Sequence, residues 1–199
     1  MLRALLLLAL ALLAGCSVGP QTHYGFASYD FGLPRAGKDA TPRLQQDLLV
    51  AELSAPGWMD NSGIYYRLAY QDPTRPQAYA HSRWVMPPAA LLGRKLRARI
   101  AGASTAAVFT PADAVRADYT LRLDLEEFSQ VFEAADKSRA VVRLRATLVR
   151  GRAIVAQQDF GVERAAPSAN AEGGVRALIA ASDEAGSTLI DWLAANMKK

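Results

Sequence analysis

The sequence predicts a single α/β domain, built as a mixed or largely antiparallel sheet with two main helices packed against it. Three observations lead there. Residues 119–127 and 138–150 alternate apolar and charged side chains with the period of two that half-buried strands require. Residues 87–103 and 171–195 instead repeat apolar side chains every three or four positions, as one-sided helices do. Apolar residues make up 51% of a 199-residue chain, a composition and length suited to one domain with a sizeable core.

The first fifteen residues stand apart from that domain. Arg3 precedes an apolar run from Ala4 to Ala14, short for a bilayer span and the right size for a secretory signal. Leu13-Ala14-Gly15-Cys16 then resembles the bacterial lipoprotein box, in which cleavage before the cysteine frees its amino group and thiol for acylation. Cys16 is the chain's single cysteine, so no disulfide can staple the fold in an oxidising compartment, and it is the expected lipid attachment. Several acyl chains would hold the protein permanently, where one alone anchors marginally. Ser17 follows, rather than the aspartate that retains such proteins at the inner membrane. The expected location is therefore the periplasmic face of the outer membrane.

Residues 16–45, the lipidated cysteine, a tether and a loop, are rich in Gly, Pro, Ser, Thr and Arg, with an aromatic patch at 24–31 where one short edge strand fits. The globular domain is expected over 46–199. It opens with "DLLVAEL" (47–53), an apolar run of strand length, and "GIYYRLAY" (63–70), rich in β-favouring aromatics. "APGWMDNSG" between them is turn chemistry, and the prolines of "QDPTRPQ" turn the chain into a third strand, "AYAHSRWV" (78–85). Pro87-Pro88 then open a helix whose Leu92, Leu96 and Ile100 share one face, while Arg94, Lys95, Arg97 and Arg99 take the others. Those cations complement the C-terminal end of the helix dipole, or alternatively form a site for an anionic lipid headgroup.

Tyr119, Leu121, Leu123 and Leu125 form one face of the next strand, and Val142, Leu144, Ala146 and Leu148 one face of its partner. Paired as a hairpin, they put Arg143 and Arg145 beside Asp124 and Glu126. Phe128, Val131 and Phe132 break the alternation, predicting a bulge or bend near the hairpin tip. Gly151-Arg152 turns into a third strand of the meander, "AIVAQQDFGVER". Asn170 caps a final helix with an apolar stripe through Val175, Leu178, Leu189, Trp192 and Leu193.

Chemistry is hard to find in this chain. His23 and His81 have no metal-ligand spacing, so neither a metal nor any other cofactor is expected. The motifs of serine hydrolases, zincins, dinucleotide-binding turns and P-loops are missing. Neighbouring carboxylates Glu126 and Glu127 should point to opposite faces of a strand and cannot act as a dyad. The net charge of +4 is spread among both signs, which argues against a nucleic-acid partner. The expectation is a protein that binds rather than catalyses, with Trp58, Tyr65, Tyr66, Arg83 and Trp84 as candidate partner contacts, since interfaces are enriched in such residues.

Six segments together resemble the ABC-transport auxiliary lipoprotein family: "YDFGLP" (29–34), "APGWMD…IYYRLAY" (55–70), "AYAHSRWVMPPAALL" (78–92), "LEEFSQVF" (125–132), "VVRLRATL" (141–148) and "GVRAL" (174–178), with Trp192 near the end. The resemblance implies a non-enzymatic accessory of a system that moves lipids between the two membranes. Its implied partners are an MCE-domain protein, the system's permease and ATPase, the membrane through the lipid on Cys16, phospholipid, and further copies of itself in a homo-oligomer. A structural or assembly lipoprotein without lipid transport is the alternative.

Overall fold

The computed structural model describes residues 25–33 and 42–197; Cys16, most of the tether and the last two residues lie outside them. In chain order the elements are β1 (Ala27–Tyr29), β2 (Leu48–Val50), β3 (Gly63–Leu68), β4 (Pro76–Trp84), α1 (Pro88–Gly102), β5 (Val108–Phe109), β6 (Tyr119–Ala134), β7 (Lys137–Arg150), β8 (Ala153–Ala165) and α2 (Ala171–Asn196). The strands form one mixed sheet, as the sequence predicts.

Its centre is the antiparallel meander β6–β7–β8. Tyr119, Leu121, Leu123 and Leu125 on β6 and Val142, Leu144, Ala146 and Leu148 on β7 are all buried, facing the core as their alternation requires. The other edge of β6 is shared. Its first residues pair in parallel with β2, which carries β5, and residues 129–132 pair in parallel with β3, which carries β4 and then β1. Helix α2 lies across β7 and β8, and α1 turns Leu92, Leu96 and Ile100 into the same core. The packed body reaches further towards the N-terminus than Gln46: β1, Phe31 and the fully buried Leu44 all belong to it.

The alternation in β6 breaks where a bulge occurs. Leu125 opposes Leu144 and Glu127 opposes Arg143, so Glu126 is an extra residue between them. The inserted residue leaves both Glu126 and Glu127 on the solvent side, against the expectation of opposite faces. Each has its own arginine, Arg145 for Glu126 (3.3 Å) and Arg67 for Glu127 (2.9 Å). Arg145 also holds Asp159 on β8 (2.6 Å), so the outer charges of the meander neutralise one another in exposed pairs worth about 0–1 kcal/mol each. A second irregularity, between Phe132 and Ala134, sits at the hairpin tip.

One polar network crosses the core. The Tyr79 hydroxyl donates to Gln130 Oε1 (2.8 Å) and Gln130 Nε2 donates to Ser138 Oγ (2.7 Å), with Gln130 fully buried. Burial, and secondarily Tyr66, push the Tyr79 hydroxyl up to about 12. The unfolded chain ionises this group near its ordinary value of 10, so its stabilising contribution is intact below that pH and is lost as pH rises from about 10 to about 12. Tyr79→Phe is expected to flatten this alkaline fall. It should also lower neutral-pH stability by about 1–3 kcal/mol, because a buried acceptor loses its donor; denaturant midpoints measured from neutral to strongly alkaline pH check both effects.

Candidate functional site

The five aromatic and cationic residues singled out from the sequence go to four different places. Trp58 stands in a short 3-10 turn, Gly57–Met59, and meets Tyr65 edge-on with ring centroids 4.9 Å apart. The Asn61 side chain fixes that pair, donating to the Trp58 carbonyl (3.0 Å) and to the Tyr65 hydroxyl (2.7 Å). Tyr65 and Arg67 alternate with the buried Ile64 along β3 and so share the outer face of the sheet. The Arg67 guanidinium lies 5.4 Å from the Trp58 ring centroid and binds Glu127. Trp58, Tyr65, Arg67 and Glu127 thus make a preorganised, half-buried layer, in which a cation over an aromatic face contributes about 0.5–1 kcal/mol or more.

Tyr66 points the other way, into contact with Tyr79 (4.7 Å) and Phe132 (5.8 Å). Trp84 is in the core at 1% exposure, packed against Phe31 (5.4 Å) and Phe128 (5.8 Å), so its ring presents no surface to a partner. Arg83, next to it in sequence, is on the opposite face of β4, exposed, with its guanidinium 4.8 Å over the exposed Phe26 ring. The structure therefore brings Trp58 and Tyr65 together and separates Tyr66, Arg83 and Trp84 from them. Arg67 and Glu127 complete the outer layer; sequence reasoning missed them because their contact joins positions far apart in the chain.

A second feature is a groove of about 1510 Å³ between the β1 end of the sheet and the two helices. Phe31, Leu33, Val85, Met86, Leu91 and Ile179 give it apolar walls, and the basic side of α1 runs along it. Lys95 and Arg99 both reach Asp183 on α2 (3.0 Å each), and Arg99 also donates to Ser187 Oγ (2.7 Å), pinning one helix to the other. Among the described residues no three His, Cys, Asp or Glu side chains converge on a point that could hold a metal, and no helix is long and apolar enough to cross a membrane.

A single α/β module whose distinguishing features are an aromatic–arginine layer and an amphipathic groove is equipped to bind other molecules. Residues 29–189 match the family described as ABC-type transport auxiliary lipoprotein component, and the chain belongs to that family. Its members are auxiliary lipoproteins of transport systems. No curated protein matches the chain. Among solved structures it is similar to protein XCC0632 from Xanthomonas campestris, of family DUF330, at 23% identity and a TM-score of 0.69, covering 86% of this chain and 94% of that one. It is also similar to a crystal structure titled as an uncharacterized protein, at 12% identity and a TM-score of 0.64, covering 85% and 99%. These two likenesses show the fold.

Proposed function

We propose that the protein is a Cys16-acylated accessory of an MCE-type ABC system that moves lipids between the inner and outer membranes, acting from the outer membrane by docking an MCE-domain partner. The observation that carries this reading is the family match over most of the chain. The preformed Trp58–Tyr65–Arg67 layer supports it, because rigid aromatic and arginine side chains are the usual anchors of protein interfaces. The exposed Arg83–Phe26 pair is a secondary candidate contact.

Capture experiments on the intact lipoprotein test this. An MCE protein encoded beside it is expected to co-purify in both directions. Trp58→Ala and Tyr65→Ala should each weaken that capture roughly thirtyfold, the effect of losing an interface anchor, while leaving the melting transition cooperative. Recovery of no MCE protein, together with normal lipid exchange in a deletion strain, would sink this reading and favour a structural or assembly lipoprotein.

A further inference from the structure

Leu33 and Val85 expose 94% and 54% of their surface, and both line the groove at the β1 end of the sheet. Strand β1 pairs with the last residues of β4, Val85 follows β4, and Leu33 lies just beyond β1. Single exposed apolar residues are ordinary, but a cluster beside an apolar groove marks a contact surface. Along that groove α1 carries four basic residues, Arg94, Lys95, Arg97 and Arg99, and no acidic one.

The acids facing α1 are accounted for one by one. Asp183 takes Lys95 and Arg99, Glu184 takes Arg164, and Asp30 accepts from the Gly32 N–H. Asp113 is held by Thr110 and lies near Arg97. Arg94 is exposed and makes no ion pair among the described residues. The chain's connection to Cys16 adds a geometric limit. Ten residue steps separate Cys16 from Phe26, so even fully extended they span at most about 36 Å. An acylated Cys16 therefore keeps the β1 end of the sheet within that distance of the membrane. Strand β8 is the opposite edge, five strand spacings or about 24 Å away.

From these observations we infer that the face formed by Leu33, Val85 and the basic side of α1 rests on an anionic phospholipid bilayer, as a second membrane contact beside the acyl anchor. The apolar side chains enter the headgroup region while Arg94 and Arg97 meet lipid phosphates, which guanidinium groups recognise well. The inference rests on the reading of Cys16 as acylated.

The test uses the full-length acylated protein reconstituted in vesicles. Because acylation consumes the Cys16 thiol, Leu33→Cys, Val85→Cys and, as a control on β8, Ile154→Cys each offer one thiol for an environment-sensitive fluorophore. All three replace exposed side chains, so the fold is retained. In vesicles of phosphatidylethanolamine and phosphatidylglycerol, positions 33 and 85 are expected to show blue-shifted emission and several-fold weaker quenching by iodide than position 154. Adding Arg94→Gln with Arg97→Gln should shift the docked population about thirtyfold towards undocked, and phosphatidylcholine vesicles should act in the same direction. Equal quenching at all three positions overturns the inference. Protection at 33 and 85 that needs no anionic lipid and grows with protein concentration also overturns it, assigning this face to a second copy. Labelling of the chain with no introduced cysteine shows a free Cys16 thiol and overturns the anchor reading itself, by a signal distinct from the other two.

Discussion

Trp84→Ala is expected to lower stability by about 3–5 kcal/mol, the cost of removing a fully buried tryptophan from a core that cannot collapse around the void. The ring is enclosed by Phe31 and Phe128, and Phe31 comes from the segment that the short β1–β4 pairing fastens to the sheet. Loss of the tryptophan should therefore loosen β1 first. Amide exchange at Val85, whose N–H donates to the Tyr29 carbonyl (2.9 Å), should accelerate more than exchange within β6 and β7. Arg83→Ala is the matched control, expected to stay within about 0.5 kcal/mol of the parent because its side chain is exposed. Urea midpoints for the two variants decide the matter. Equal midpoints would mean that Trp84 is not part of the core.

Gly173→Ala is expected to cost about 3 kcal/mol, despite the gain of nearly 1 kcal/mol that alanine brings to a helix. A Cβ at Gly173 would lie 2.1 Å from the Ser168 carbonyl oxygen and 2.7 Å from the Ser168 nitrogen. Those are backbone atoms, held in the turn that delivers Asn170 to its cap, where its side chain accepts from the Gly173 N–H (2.9 Å). Gly174→Ala meets a different obstacle, Gln130 Oε1 at 2.0 Å. That side chain can swing away only by giving up Tyr79 or Ser138, for about 1–3 kcal/mol. Thermal melts of both variants beside Gly161→Ala, where an added Cβ meets nothing within 4 Å, should rank Gly173→Ala as the least stable. If all three melt together, the first turn of α2 does not press on its neighbours as described.

The elements that were legible in the sequence are those whose partner lies next along the chain. The meander announced itself through Leu121, Leu123 and Leu125 facing Leu144, Ala146 and Leu148, because period-two alternation and a turn at Gly151 suffice to specify antiparallel neighbours. The Pro87-Pro88 handover and the stripe of α2 were readable for the same reason. Strand order was not, since nothing local to Leu48 or Tyr65 says that both strands will lie in parallel along one edge of β6. Nor could alternation alone tell that Glu126 would bulge and carry Glu127 to its own side. At the candidate site the residue types were visible but their grouping was not. Trp58 and Tyr65 meet through a turn, while Arg83 and Trp84 part company because adjacent residues on a strand face opposite ways. Leu33 and Val85 lie far apart in sequence, so only the fold shows them on one groove.

The shared edge of β6 also sets the order in which this chain can acquire its structure. Strand β3 has a local partner in β4 and β2 a short one in β5, but both join the meander along residues 119–132, so a polypeptide emerging N-terminus first has much of its first half in place before that central surface exists. Closing such long loops is entropically slow compared with zipping up the local β6–β7 hairpin. The meander is therefore the nucleus to look for in φ-value measurements: truncations in β7 should slow folding, and truncations in β2 should mainly speed unfolding. Until that nucleus forms, the apolar segments around Leu48 and Ile64 remain open to whatever holdase meets the chain.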